Sequence, residues 1–176
     1  QPHTHRLMKV DVDPSSENAY SVVGEVDLDG QPSSLGPAPS PFTMATTPDG
    51  DHLIVALAAG QSVLILDAET REELERLPAG SDPRGLAFTD GYFWTYAWLD
   101  NQLVGWPTPG AEGEQIQLSV GNDPTPLEVK QGQRIFNDAA FSKHGEFSCN
   151  NCHIDGITDG LVWDILTDGP VNTLAF

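Results

Sequence analysis

Part of this chain is written twice. Pro41-Phe42-Thr43-Met44-Ala45-Thr46-Thr47 corresponds to Pro83-Arg84-Gly85-Leu86-Ala87-Phe88-Thr89 at an offset of 42 residues. After a one-residue deletion, the turn Asp49-Gly50 corresponds to Asp90-Gly91, and Leu53-Ile54-Val55-Ala56-Leu57 to Trp94-Thr95-Tyr96-Ala97-Trp98. Ser62-Val63-Leu64-Ile65-Leu66-Asp67 then corresponds to Gln102-Leu103-Val104-Gly105-Trp106. Each copy closes on one more candidate strand, residues 72–77 and 114–120. Four short strands in roughly 40–45 residues is the period of a β-propeller blade, and such a unit cannot bury its faces alone. Residues 68–77 look helical by propensity, but the repeat assigns them to a turn and an outermost strand.

Ahead of the repeat, residues 7–12 and 20–28 alternate as strands around a turn cluster at residues 13–18, giving the last two strands of an earlier blade. Residues 31–41 hold four prolines, at positions 32, 37, 39 and 41, and read as an irregular loop. The N-terminal part, residues 1–121, is thus expected to be mainly β, with about two and a half propeller blades. Thr47-Pro48-Asp49-Gly50, Val63-Leu64-Ile65-Leu66-Asp67 and Gly80-Ser81-Asp82-Pro83-Arg84-Gly85-Leu86-Ala87-Phe88 carry a family likeness. Over residues 7–121 the chain resembles the YVTN-type β-propeller repeat family. A closed propeller takes at least about four blades. The chain is therefore expected to be a fragment of a longer one, or to have its propeller completed by partner chains.

The two cysteines of the chain lie in Cys149-Asn150-Asn151-Cys152-His153. Cys-x-x-Cys-His is the attachment signature of a c-type haem. Each thiol can add to one vinyl group, and the adjacent imidazole of His153 can ligate the iron from the proximal side. Three other readings compete. A thioredoxin-like pair wants a βαβ setting, which is not visible. A structural zinc site wants a second ligand pair. A disulfide across two residues closes a very small loop. The histidine directly after the second cysteine favours haem.

A boundary falls at Gly121-Asn122-Asp123-Pro124, and residues 122–176 form a second segment, expected to be a small α-helical cytochrome c-like unit. Thr125-Pro126-Leu127-Glu128 predicts a helix start, with Thr125 and Glu128 forming a capping box. The helix should run to about residue 138, with Leu127, Ile135 and Phe136 on its apolar face. Gly132 inside it suggests a close approach of another element, at a cost of about 1 kcal/mol relative to alanine. Lys130-Gln131-Gly132-Gln133-Arg134-Ile135-Phe136 looks like the first helix of a cytochrome c domain. Phe136-Asn137-Asp138-Ala139-Ala140-Phe141-Ser142, the haem motif and Asp159-Gly160-Leu161-Val162-Trp163-Asp164 extend the likeness. Residues 125–176 resemble the di-haem cytochrome c peroxidase/MauG-like family. The resemblance implies thioether bonds at Cys149 and Cys152, His153 as proximal ligand, and Trp163 near the haem or on an electron path. It also implies that parts of the family's machinery are missing, since this chain has one haem motif and that family has two.

The tail after His153 has no Met or His, so the sixth iron ligand must come from elsewhere. Upstream candidates are His144, His52, His5, His3, Met44 and Met8, of which His144 is nearest in sequence as a distal ligand. Glu146 is an acid–base candidate by proximity alone. A copper site at the N-terminus through His3 is discounted, because Pro2 has no amide proton to give up. Asp155, Asp159, Asp164 and Asp168, interleaved with Gly156, Gly160 and Gly169, hint at calcium but do not fit EF-hand spacing.

The chain carries 26 acidic and 8 basic residues, for a formal net charge of −18. That argues against nucleic acid as a partner, whose phosphates it would repel, and favours a cationic redox protein partner or a high-salt, demanding extracellular setting, with solubility alone as the plainer reading. Hydrophobic residues at 39% fit a packed chain, and no run approaches a membrane span. Gln1-Pro2-His3-Thr4-His5-Arg6 has no apolar core of a signal peptide, so the chain reads as a mature exported protein, periplasmic or extracellular. The expected function is a one-haem, exported electron-transfer cytochrome with a propeller as its docking scaffold. The alternative is a haem peroxidase-type oxidoreductase that needs further parts.

Overall fold

The computed structural model describes residues 5–29, 36–164 and 169–174. Among these the chain is mainly β, with four antiparallel sheets and one α-helix. The first two strands, β1 (Arg6–Val10) and β2 (Val22–Asp27), pair with Leu7 opposite Val26. Next, β3 (Pro41–Thr46), β4 (His52–Leu57), β5 (Ser62–Asp67) and β6 (Glu73–Pro78) form a four-stranded meander in chain order. A second meander follows from β7 (Pro83–Thr89), β8 (Tyr92–Ala97), β9 (Gln102–Pro107) and β10 (Ile116–Ser119). Among the described residues no ring of sheets closes.

Residues 68–77 do become a turn and a strand, and the cause is local. Oδ1 of Asp67 accepts the amides of Glu69 and Thr70 at 2.9 and 2.7 Å. That side chain competes with helical bonding and reverses the chain. Leu77 then lands opposite Val63.

Alternation along the strands sends side chains to two faces, and both faces of the β3–β6 sheet are buried. Val55, Leu57, Leu64 and Leu66 pack with Leu28, Leu7 and Val26 of the β1–β2 side. Ile54, Ala56, Val63 and Ile65 pack with Phe93, Leu86, Phe88 and Trp106 of the β7–β10 sheet. The three units therefore stack face on face.

The stacking corrects the repeat register. Strand β4 begins at His52 and β8 at Tyr92, so the strands align at an offset of 40, and Leu53 matches Phe93 rather than Trp94. A one-residue slip exchanges every side chain between faces. In the observed register Phe93 and Thr95 point into the stack. Trp94 and Tyr96 fall on the opposite face and take the positions that Ile54 and Ala56 hold in the preceding sheet. There Trp94 lies over Gly105, where an added Cβ would come within 2.7 Å of the indole. Leu103 and Leu118 pair on that same face, and both are exposed.

The C-terminal segment holds less helix than the sequence suggests. Its one α-helix, α1 (Leu127–Asn137), is followed by short 3-10 turns at Ala139–Phe141, Cys149–Asn151 and Ile154–Gly156. A two-residue pair, β11 (Val162–Trp163) with β12 (Val171–Asn172), completes it. The capping box at Thr125 does not form: Pro126 is the N-cap, and Asp123 instead accepts the Thr125 amide and pairs with Lys130. Leu127 and Ile135 are exposed, so the expected apolar face is only partly covered. Arg134 anchors the helix to the sheets through Asp100, at 2.7 Å. Among the described residues no helix is long and apolar enough to cross a membrane.

Candidate functional site

The Cys149–His153 segment is a tight turn. The carbonyl of Cys149 accepts the amides of both Cys152 and His153, at 3.3 and 3.1 Å. The amide of Gly156 bonds back to the His153 carbonyl, and that of Asp159 to the Cys152 carbonyl at 3.0 Å. The two thiols are not joined; Cys149 is exposed and Cys152 half-buried. Burial first, and then the Asp159 carboxylate, push the Cys152 thiol above its ordinary value.

Both spacer residues are structural, which sequence reasoning missed. Oδ1 of Asn151 accepts three bonds: from the Ser148 amide (2.8 Å), the Ser148 hydroxyl (2.9 Å) and the Ser40 hydroxyl (2.9 Å). Oδ1 of Asn150 accepts the Asp155 amide at 2.8 Å. Asp155 in turn receives the Arg84 guanidinium at 3.2 Å. Arg84 also forks onto the buried Asp82 and stacks on the rings of Trp98 and Phe42, at 4.2 and 5.0 Å. The turn is thus tied to the first sheet through Ser40 and to the second through Arg84. Ser40 and Asp82, the buried partner of Arg84, are repeat equivalents: Ser40 precedes β3 and Asp82 precedes β7, and both have φ of +53°. That left-handed backbone is uncommon for non-glycine residues.

Trp163 is half-buried on β11, and its indole donates to Oδ2 of Asp159 at 2.8 Å. Asp159 is held below the usual carboxylate range, chiefly by the Leu161 amide, with Trp163 and the nearby His153 adding to the effect. Trp163, Asp159, His153 and Cys152 therefore share one locality.

The other candidates fare differently. His144 is exposed, and no hydrogen bond or ion pair ties it to the turn among the described residues. His5 is occupied: the Ser40 amide donates to its Nε2 at 3.3 Å, so the proton sits on Nδ1, which faces Asp29 at 3.1 Å. His5 is therefore not presented as an iron ligand. His52 lies on β4 opposite Asp67, and Met44 and Met8 are exposed on β3 and β1. His3 and Asp168 lie outside the described residues. The calcium carboxylates are not brought together, since Asp155 pairs with Arg84, Asp159 with Trp163, and Asp164 is exposed. Among the described residues no three His, Cys, Asp or Glu side chains are placed to hold a metal ion. Glu146 is half-buried and acquires no evident role.

A cleft of about 490 Å³ opens beside the turn. Trp98 lines it from the N-terminal part, Phe136 and Asn137 from α1, and Asn150, Asp155 and Gly156 from the motif region. Gly132 also borders it, and a Cβ there would meet nothing within 4 Å. The close packing expected at that glycine is absent; it faces open space.

No family model matches the chain. It is 42% identical over 57 residues to the gamma subunit of hydrazine synthase from Kuenenia stuttgartiensis, a stretch covering 31% of this chain and 16% of that protein. A solved structure of Kuenenia stuttgartiensis hydrazine synthase aligns with a TM-score of 0.43 and 22% identity, over 48% of this chain and 24% of that one. The match thus spans about one sixth of the curated relative's length.

Proposed function

We propose that Cys149 and Cys152 carry one covalent c-type haem, with His153 as its proximal ligand, in an exported electron-transfer cytochrome that works within a larger assembly. The observation that carries this reading is the turn itself: two unjoined thiols and the next imidazole, held on one closed loop. The donor set suits haem c. The neighbouring cleft has aromatic walls, and its volume lies within the roughly 300–1,000 Å³ of small-molecule sites.

When bound, the haem supplies a one-electron ferric/ferrous couple. The chain's own residues do the rest. The two thiols fix the group covalently, Asn150 and Asn151 hold the turn rigid, and Trp98 and Phe136 shed water from the cleft. The net charge of −18 steers a cationic redox partner. Similarity to a protein named as a subunit supports a multi-chain setting. The outer face of the β7–β10 sheet supports it too, because Trp94, Tyr96 and Leu103 sit where the preceding sheet carries buried Ile54, Ala56 and Val63. A further sheet of the same repeat would cover that face and extend a propeller of YVTN type. Residues 1–121 then form the docking scaffold and residues 122–176 the cytochrome segment.

The test is maturation of the exported chain alongside a known c-type cytochrome as control, read by intact mass and a reduced pyridine spectrum. The expected result is a mass gain of one haem with a two-thioether spectrum, lost in the Cys149→Ala/Cys152→Ala variant. No mass gain beside a fully loaded control overturns the proposal. A low-spin spectrum insensitive to cyanide and peroxide supports electron transfer, whereas a peroxide-sensitive high-spin spectrum shifts the function to peroxidase chemistry.

A further inference from the structure

His5 is joined to the motif turn by an unbroken run of hydrogen bonds. The Ser40 amide donates to its Nε2 at 3.3 Å, and its Nδ1 faces Oδ2 of Asp29 at 3.1 Å. The Ser40 hydroxyl donates in turn to Oδ1 of Asn151 at 2.9 Å, inside the Cys149–His153 segment. Asp29 is itself fixed, taking the His5 amide on Oδ2 at 2.7 Å and the Ala38 amide on Oδ1 at 2.9 Å. The imidazole and the carboxylate are 16% and 12% exposed, so water is a poor substitute for these partners. Ser40 keeps its left-handed backbone between two anchors, the Ala58 amide on its carbonyl at 2.9 Å and His5 on its amide.

Among the described residues Asp29 is the charged group that faces the ring. Arg6, next in the chain, pairs with Glu25, and Asp27 on β2 accepts the Asp29 amide at 3.0 Å. Residues 36–40 carry no titratable side chain, and the motif turn meets Ser40 with the carboxamide of Asn151.

We propose that His5 is a positioning residue for the Cys149–His153 turn and makes that turn acid-sensitive. Neutral, with its proton on Nδ1, the ring accepts the Ser40 amide and so keeps the Ser40 hydroxyl on Asn151. Once it takes a proton from water, both ring nitrogens are donors. The Ser40 N–H then faces an N–H and has lost its acceptor. Asp29 retains the charged ring, so the event is local: Ser40 shifts, and Asn151 gives up one of its three donors. The other tether, from Arg84 to Asp155, contains no histidine and stays. The proposal concerns the turn itself and holds with or without haem on the thiols.

The experiment is an NMR titration of the full chain between about pH 5 and 8, where histidines ordinarily titrate. It follows the His5 ring nitrogens and the exchange protection of the Cys152 and His153 amides, corrected for intrinsic rate. As His5 takes its proton, these amides should lose protection by about 2- to 12-fold, the equivalent of one hydrogen bond, while β4 and β5 keep theirs. His5→Gln puts near the Nε2 position a carboxamide oxygen that acid does not protonate. It should hold the turn at neutral pH and abolish the acid response. Ser40→Ala should loosen the turn at every pH and leave no acid response, although His5 still titrates. Turn protection unchanged across the His5 titration overturns the proposal, as does a His5 ring that takes no proton above pH 5. An acid response that survives in His5→Gln assigns the effect to His153 and overturns it too. If His5→Gln does not fold, Ser40→Ala decides, and a response of wild-type size there overturns the proposal.

Discussion

Asn151→Ala tests whether the spacer of the motif is a structural clamp. One carboxamide oxygen accepts three hydrogen bonds, two from Ser148 and one from Ser40, which lies 111 residues away. Ser148 is 8% exposed, so its amide has little access to water once the acceptor is gone. Hydrogen bonds contribute about 0.5–1.5 kcal/mol each, and a stranded buried donor costs about 1–3 kcal/mol. Local opening of the turn should therefore become easier by roughly 2–3 kcal/mol, or about 30- to 150-fold in the opening equilibrium. Amide hydrogen exchange reads this directly at Cys152 and His153, whose amides bond to the Cys149 carbonyl. Their protection should drop by that factor, while β4 and β5 keep theirs. Asn151→Asp retains the acceptor and should restore most of the protection. An Asn151→Ala variant whose turn amides exchange at the wild-type rate would refute the clamp. So would an equal loss across β4 and β5, because the effect would then be global.

Two further outcomes follow from charge placement. Arg84→Ala removes the partner of Asp82, whose side chain is 1% exposed, and should cost about 3–5 kcal/mol in denaturant unfolding because a buried charge is left unpaired. Arg84→Lys should recover only part of this, since an ammonium cannot reproduce the forked contact or the stacking on Trp98. Asp49, Asp67 and Asp159 are each held below the usual carboxylate range, Asp49 chiefly by the Thr47 hydroxyl, Asp67 by the Thr70 amide and Asp159 by the Leu161 amide. Depressed carboxylates stabilise the fold above their unfolded pKa of about 4 and stop doing so as pH falls through their lower folded values. Stability should therefore be flat from neutral pH down to about pH 5 and fall below about pH 4 on their account, as read by denaturant midpoints. A rise in the midpoint through that acid window would contradict the assignment.

Much of the β part was legible because its signals are local. The doubled segment fixed the number and order of strands in both meanders, and it overruled the helical propensity of residues 68–77 correctly. The slip at β8 has a physical reason. Phe93, Trp94, Tyr96 and Ala97 offer no polar–apolar alternation, so an aromatic strand buried on one face and half-covered on the other does not announce which face is which. Thr125 misled because Asp123, two residues earlier, captures its amide. At the site, the five-residue motif stands out in the sequence, whereas its supports do not. Ser40 reaches Asn151 and Arg84 reaches Asp155 across 111 and 71 residues, and no local pattern encodes such pairings. His5 shows the converse: it read as a free terminal ligand candidate, yet both of its ring nitrogens are committed within the sheet region.

The two tethers give the Cys149–His153 turn a mechanical character. One end is moored at Ser40 and the other, through Asp155 and Arg84, at Asp82, the same station on two successive sheets. The turn therefore bridges a seam between layers that also meet through side-chain packing. Any event that swivels one layer against the next changes the span between the moorings and loads the loop from both ends. The loop thus reports on the spacing of the two sheets, a property that no single sheet carries by itself.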